Sequence, residues 1–191
     1  MRDILKLGAV LMTYALLAGS SLAFVNDKTS GLIIENKLIA ETAARSEVLP
    51  GMSGGFDARD GKDGLSYWIG WRDEAKSDIG GFLIMTSGNG YSSVIESMVG
   101  VDTAGNIIGV KVISQQETPG LGTKIQEIRH GESDPWFTRQ YIGRTADDDI
   151  SVAKDGGTID AITGATISSR ALTNSINRGL RQLMETLGGE L

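Results

Sequence analysis

The chain begins with an apolar segment, and the remainder alternates between apolar and polar positions. Residues 4–25 are almost wholly apolar, and Lys6 is the only charged side chain among them. A helix of about 20 such residues crosses the hydrocarbon core of a bilayer, so the segment predicts one transmembrane helix. Arg2 and Lys6 lie at its start, while Asp27 and Glu35 follow it. This charge pattern places the N-terminus in the cytoplasm and the rest of the chain outside.

A cleaved signal peptide is the alternative interpretation of this segment. Residues 21–23 (SLA) have the small side chains of a signal-peptidase site. The apolar run is longer than the hydrophobic region of a usual signal peptide, which favours an uncleaved anchor.

The next segments predict a connecting helix and several strands. Residues 32–49 mix apolar with charged positions as a helix does, and Pro50 and Gly51 end it. Residues 54–64 are rich in Gly, Asp and Lys and predict a loop. Aromatic and β-branched residues predict four strands, at 66–72, 81–85, 91–101 and 107–114, and the last two form a hairpin around a turn at 102–106. Residues 150–152 are a further strand candidate for the same sheet.

Helices are predicted in the C-terminal half of the chain. Short helices are expected at 124–129 and 135–142, and a long one at 168–187, where leucine and isoleucine recur every three or four residues. Ser168 and Ser169 are its N-cap candidates. The pattern predicts an α+β protein with a mainly antiparallel sheet flanked by helices. We expect a transmembrane region at 1–26, a connecting helix at 27–50 and one exported domain at 51–191.

Composition limits the chemistry that the chain can perform. The 191 residues carry a formal net charge of −6, which argues against nucleic acid as a partner because phosphate binding needs clustered Lys and Arg. The chain has no cysteine, which removes disulfides and thiolate or iron–sulfur ligation. Its only histidine is His130, which argues against a zinc site made by the protein alone. Redox chemistry would therefore require a bound organic cofactor.

The segment 160–166 (DAITGAT) is the strongest candidate for chemistry. Gly164 allows a tight turn or a close approach of backbone to a ligand. Thr166 lies just before the predicted C-terminal helix, where free N–H groups and the positive end of the helix dipole favour an anion. A hydroxyl at this place is suited to carrying a phosphate. The competing interpretation is ordinary capping and turn chemistry.

The segment 160–166 resembles the flavinylation motif of the FMN-binding domain found in the Rnf and Nqr respiratory complexes. A second block, residues 117–122 (ETPGLG), also matches that family, and the resemblance extends over about residues 81–187. It implies that a flavin transferase joins the phosphate of FMN to the hydroxyl of Thr166 as a phosphoester. The threonine would be an anchor, since no electron passes through that bond.

The resemblance further implies a membrane-anchored electron-carrier subunit, incomplete as an enzyme by itself, with FMN as its only cofactor, no catalytic residue and no metal. Its partners would be the other subunits of a membrane complex and the transferase. The Rnf type, a ferredoxin:NAD⁺ oxidoreductase, is favoured over the Nqr type because the corresponding Nqr protein is typically longer. A non-redox exported binding or scaffold domain is the alternative from another class. The implied cofactor-binding residues are Glu117, Thr118, Gly120, Leu121, Gly122, Thr163, Gly164, Ala165, Thr166 and Ser168.

The sequence allows two roles for each of several side chains. Glu117 is either a structural cap or a partner for the flavin ring. Asp160 is either recognised by the transferase or bonded to backbone N–H groups of its own loop. Aromatic candidates for stacking on the ring are Tyr91, Trp68, Trp71 and Trp136; a core or membrane-interface role is favoured for each. Trp68 and Trp71 are three apart in a strand and are expected on opposite faces.

Overall fold

The computed structural model describes residues 2–188, and the contacts within it divide the chain into two units. The first unit, Met1–Ala40, is helical throughout its described residues. The second unit, Glu41–Leu191, contains every strand and all the remaining helices. An N-terminal apolar helix followed by an antiparallel sheet with helices confirms the predicted α+β class.

Helix α1 runs without interruption over Arg2–Val48. Its large apolar side chains up to Ile39 stay exposed, and it is the one described helix that is long and apolar enough to cross a membrane. The predicted transmembrane and connecting helices are therefore one continuous element. In its polar middle the Thr29 hydroxyl donates to the carbonyl of Val25 at 2.9 Å. The domain limits at residues 26 and 50 stay predictions.

The sheet is a five-stranded antiparallel meander in which each strand pairs with the next one along the chain. The predicted hairpin is confirmed, and its second strand has the predicted bounds, 107–114. The prediction of a loop at 54–64 is wrong, because residues 55–60 form an edge strand that pairs with residues 66–71 along its whole length. The strands are β1 (Gly55–Asp60), β2 (Ser66–Trp71), β3 (Ile79–Asn89), β4 (Val94–Asp102) and β5 (Ile107–Ser114).

The main core lies between the sheet and the C-terminal helix. This helix, Thr166–Leu187, buries the predicted stripe of Leu172, Ile176, Leu180 and Leu183 against strand residues such as Ile84 and Val99. It approaches β3 closely: a Cβ on Gly88 would lie 2.3 Å from the carbonyl oxygen of Ala171. Backbone contact at this point fixes where the start of the helix stands relative to the sheet.

A smaller core contains the end of α1. Ala44, Val48 and Leu49 are buried in one cluster with Leu83 of β3 and Met98 of β4. Two glycines allow this approach, since a Cβ on Gly100 would lie 2.1 Å from the Val48 carbonyl oxygen and one on Gly109 would lie 2.5 Å from it. The last turn of α1 is thus part of the core of the second unit.

Residues 115–165 connect the sheet to the C-terminal helix with little regular structure. The helix predicted at 124–129 is wrong: the chain forms a 3₁₀ turn over Gly122–Gln126 and then becomes extended. The second predicted helix is short, α2 (Trp136–Arg139), with Pro135 at its N-cap. The segment 150–152 does not join the sheet, because Val152 forms only an isolated parallel bridge with Ile159. The C-terminal helix, Thr166–Leu187, is α3.

Candidate functional site

The loop of residues 160–165 leads directly into α3. Gly164 has φ +80°, a left-handed conformation that glycine adopts without strain. Ala165 is the N-cap and Thr166 is the first helical residue, so the helix begins two residues before the predicted start. No side chain of the described residues caps this end, and its first amides remain available to a ligand.

Ser168 and Ser169 therefore lie inside the first turn, and their prediction as N-caps is wrong. Both are buried and bond to other segments. The Ser169 hydroxyl donates to the Ala165 carbonyl at 3.0 Å and accepts from the backbone N–H of Ile162 at 3.0 Å. This serine ties the loop to the helix that it precedes.

Glu117 joins three segments through its buried carboxylate. It accepts from the Ser168 hydroxyl at 2.5 Å and from the Ser93 hydroxyl at 3.1 Å. It also accepts from the backbone N–H groups of Tyr91, Ser92 and Ser93 at 2.9 to 3.0 Å. Burial acts to raise the pKa of Glu117, but the donors from Ser168 and the 91–93 backbone outweigh it and hold this pKa below its ordinary value. These bonds give Glu117 a structural role, and its predicted contact with the flavin ring stays a prediction.

The turn at 118–121 presents Leu121 to solvent. The Leu121 N–H donates to the Thr118 carbonyl at 3.1 Å, and Gly120 has φ +75°, as a type II turn with Pro119 before glycine requires. Gly122 follows in a crowded position, where a Cβ would lie 2.7 Å from the Ser168 hydroxyl oxygen. Glycine at 122 therefore lets the turn approach the first turn of α3.

A cavity of about 600 Å³ opens where these segments meet, within the range of small-molecule and cofactor sites. Three of its side chains are large, apolar and exposed: Tyr91 at 72%, Leu121 at 42% and Ile167 at 50%. Such a cluster around a polar end suits a planar aromatic ligand that bears a charged group. The lining residues are Tyr91, Glu117, Thr118, Leu121, Gly122, Lys154, Gly164, Ala165, Thr166, Ile167 and Ser168.

Thr166 stands at the polar end of this cavity. The Nζ of Lys154 donates to the Thr166 hydroxyl oxygen at 3.1 Å. The hydroxyl thus has a cation beside it and the start of a 22-residue helix behind it, and both favour a negatively charged group. The residues present therefore fit FMN, which combines a planar aromatic ring with a negatively charged phosphate.

Most of the predicted site residues meet at this cavity. The structure separates two of the ten: Gly120 is not among the lining residues, and Thr163 lines a different cavity of about 580 Å³ together with Asp160. In that second cavity the Gln140 side chain bonds to both backbone groups of Asp160. It accepts from the Asp160 N–H at 2.7 Å and donates to the Asp160 carbonyl at 3.3 Å.

Sequence reasoning missed Lys154 and Ile167. Ile167 carried a usable signal, since it is apolar yet off the buried stripe of α3. Lys154 carried none, because it lies 12 residues before Thr166 in a segment with no recognisable pattern. Of the aromatic candidates only Tyr91 lines the cavity. Trp68 packs against the smaller core, and the Trp71 indole donates to Asp57 at 3.0 Å.

Comparison with known proteins finds one matching family model and similar proteins of nearly the same length. Residues 90–181 match the model of the FMN-binding domain family. The G-type subunit of the Na(+)-translocating ferredoxin:NAD(+) oxidoreductase complex of Acetobacterium woodii is 29% identical over 199 residues, which are 93% of this chain and 90% of that protein. The G-type subunit of the ion-translocating oxidoreductase complex of Escherichia coli (strain K12) is 31% identical over 188 residues, with the same two coverages of 93% and 90%.

A solved structure shares the fold. The crystal structure of the C-type subunit of the Na(+)-translocating NADH-quinone reductase from Parabacteroides distasonis superposes with a TM-score of 0.50 at 22% identity, and the match covers 64% of this chain and 62% of that one. The similarity to the Escherichia coli protein extends over nearly the full length of both chains, and the FMN-binding domain model covers the cavity and its threonine. The chain therefore belongs to the family of G-type subunits of ion-translocating oxidoreductase complexes.

Proposed function

We propose that this chain carries FMN as a phosphoester on Thr166 and relays electrons as a membrane-anchored subunit of an Rnf-type ion-translocating ferredoxin:NAD⁺ oxidoreductase. The observation that carries the proposal is the position of the Thr166 hydroxyl. It lies at the free start of α3, beside Lys154, and at the end of a cavity walled by the exposed apolar side chains Tyr91, Leu121 and Ile167.

The attachment is a phosphoryl transfer for which the chain supplies the accepting hydroxyl. The Thr166 oxygen would form the new bond to the flavin phosphate, and the bond from that phosphorus to the second phosphate of an activated flavin donor would break. The hydroxyl proton would leave to a base of the transferase or to water, and the second phosphate would depart with its substituent. Lys154 and the free amides of α3 would stabilise the negative charge on the transferred group.

FMN, once bound, supplies the ability to accept and release electrons. The residues of the chain would anchor it and cover part of its ring. Thr166 fixes the phosphate, so the flavin cannot be lost by dilution, and its effective concentration at the site stays constant. Leu121 and Ile167 would give the ring apolar surface, while Glu117 ties the 91–93 turn to the first turn of α3.

The names of the relatives indicate the setting of this relay. The Acetobacterium woodii relative is one subunit of a ferredoxin:NAD(+) oxidoreductase complex, so we place the present chain among the subunits of such a complex. Ferredoxin and NAD⁺ would bind other subunits, on the cytoplasmic side. With Arg2 and Lys6 at the start of α1, we place the N-terminus in the cytoplasm and the flavin outside.

Gel electrophoresis under denaturing conditions tests the proposal, because only covalent flavin remains with the chain. The full chain is produced in cells that contain the transferase, and the gel is viewed under ultraviolet light. We expect a fluorescent band for the wild type and for Thr163→Ala, and none for Thr166→Ala at equal protein. A wild-type band without fluorescence would reject covalent attachment.

A further inference from the structure

We propose that Lys154 is the counter-ion of the phosphate on Thr166, and that the ion pair between Asp155 and Arg170 holds it there. The inference rests on the proposed function and assigns two roles within that site. Lys154 would contact the phosphate directly, whereas Asp155 and Arg170 would be positioning residues that act through Lys154.

Lys154 is the only cationic side chain among the described residues that line the flavin cavity. It belongs to the 3₁₀ turn Ala153–Asp155, which is anchored at both sides: Ala153 N–H donates to the Ile159 carbonyl at 2.8 Å, and Gly157 N–H donates to the Val152 carbonyl at 3.3 Å. From this turn its Nζ reaches the Thr166 oxygen at 3.1 Å. A phosphorus bonded to that oxygen would carry its charged oxygens within reach of the same ammonium group.

Arg170 is a second cation close to Thr166 in sequence, and its partner shows why its role differs from that of Lys154. It lies four residues after Thr166, on the same side of α3. Its Nε donates to Asp155 Oδ2 and its Nη2 to Asp155 Oδ1, both at 2.6 Å. The guanidinium is thus engaged by a carboxylate, and this pairing holds the pKa of Asp155 below its ordinary value.

The ion pair has two consequences for Lys154. It fastens the 3₁₀ turn to the first turns of α3, which limits where the Lys154 backbone can move relative to Thr166. It also gives Asp155 a cationic partner, so the adjacent carboxylate does not draw the ammonium group away from the phosphate site. A phosphate that esterifies two alcohols keeps one negative charge, and one ammonium group balances it.

Acylation of lysines in the full chain tests the contact. The wild-type chain, purified in detergent from cells with and without the transferase, is treated briefly with an amine-acylating reagent, and labelling is quantified by mass spectrometry. We expect labelling of Lys154 to be slower by roughly fivefold or more when the flavin is attached, because a charge-assisted hydrogen bond protects the amine. Lys124, which lines the other cavity, is the internal control and should not change. Equal labelling of Lys154 in both samples would overturn the inference.

Variants separate the counter-ion from a merely structural residue. In the flavinylated chain the ³¹P resonance should move in Lys154→Met and return toward the wild-type position in Lys154→Arg, which keeps the charge. Asp155→Asn should leave the flavin attached and restore labelling of Lys154 toward the rate seen without flavin. A ³¹P resonance unchanged in Lys154→Met would contradict the inference, even with the fluorescent band intact. If Lys154→Met carries no flavin, its ³¹P resonance cannot be measured, and the labelling of Lys154 in wild-type chains with and without flavin tests the inference instead. A wild type without flavin would instead reject the proposed function.

Discussion

At the scale of single residues, Glu117 gathers more interactions than any other side chain of the site. Its carboxylate accepts from three backbone N–H groups of the 91–93 turn and from the hydroxyls of Ser93 and Ser168. It is only 4% exposed. A buried carboxylate with this many donors is stable in the charged form and rigidly placed, so it fixes Tyr91 relative to the first turn of α3.

Replacing Glu117 by Gln should destabilise the protein by about 1–3 kcal/mol at neutral pH, because an amide NH₂ then faces buried donors. The lowered pKa makes this contribution depend on pH. It is fully present above the ordinary carboxyl value of 4.5 and is lost as the pH falls through the lower folded value. Urea unfolding of the full chain in detergent, followed by tryptophan fluorescence, should show the difference between wild type and Glu117→Gln shrinking below about pH 4.5.

Glu127→Gln is the matched control for that measurement. Glu127 is exposed and lines the other cavity, so its variant should unfold like the wild type at neutral pH. A Glu117→Gln protein as stable as the wild type at neutral pH would show that the hydrogen bonds of the Glu117 carboxylate add nothing to the free energy of unfolding.

Leu121 offers a prediction about the cofactor. Its side chain is 42% exposed and lies 3.2 Å from where a Cβ on Gly164 would be, so it covers the loop that leads to Thr166. An apolar wall disfavours negative charge on a reduced ring, and Leu121→Ala admits water in its place. We expect the flavin to stay attached and its midpoint potential to rise by on the order of 50 mV, where about 59 mV per electron corresponds to a tenfold change. A potentiometric titration measures this, and an unchanged potential would leave Leu121 as a turn residue only.

At the scale of elements, the site depends on how closely α3 lies against β3. The contact is between backbones, since a Cβ at Gly88 would lie 2.3 Å from the Ala171 carbonyl oxygen. Gly88→Ala should therefore push the start of α3 away and cost about 1–3 kcal/mol, as overpacking does. The urea midpoint of the full chain measures this cost. Gly31→Ala, where an added Cβ meets nothing within 4 Å, is the control. Equal urea midpoints for the wild type and Gly88→Ala would mean that α3 can shift without strain.

Periodicity predicted those elements whose apolar pattern is strong. The leucine stripe of α3 is read from sequence because one face of that helix is buried. Strand β5 is read from its β-branched residues, although their burial in the structure does not alternate: Ile107 and Val112 are buried, and Ile108 is exposed. Strand β1 was missed since it is an edge strand with three exposed residues in its second half and three charged residues among its six. It is held by pairing to β2 and by the bond from the Trp71 indole to Asp57, which are long-range contacts without a local signal.

The residues of the candidate site also fall into those that a local sequence pattern identified and those that it did not. Thr166 and the 117–122 block were identified because short motifs carry them, and the structure brings them to one cavity. Lys154 could not be identified, since the contacts that hold its segment near α3, such as the bridge between Val152 and Ile159 and the ion pair between Asp155 and Arg170, leave no local signal in the sequence. The N-cap prediction for Ser168 was wrong because the buried carboxylate of Glu117, 51 residues away in sequence, takes its hydroxyl.

At the scale of the whole molecule, the chain combines one exposed apolar helix with one flavin-binding unit. We predict that the chain stays in the membrane fraction at high salt and that a tag fused after residue 191 is accessible from outside the cytoplasmic membrane. The reason is the positive charge at the start of α1 and the apolar length that follows. Protease protection in intact spheroplasts measures the orientation. A soluble mature protein beginning near Phe24 would support the cleaved signal peptide instead.

The central claim is that Thr166, and no other hydroxyl, carries the flavin. Trypsin should cut after Lys154 and Arg170 and release one peptide that contains Thr158, Thr163, Thr166, Ser168 and Ser169. Fragmentation of this peptide by mass spectrometry reads the position of the added group directly. We predict the mass of FMN less one water on Thr166, and an unmodified peptide from the Thr166→Ala chain. The same mass on any other residue, or its persistence in Thr166→Ala, would contradict the account.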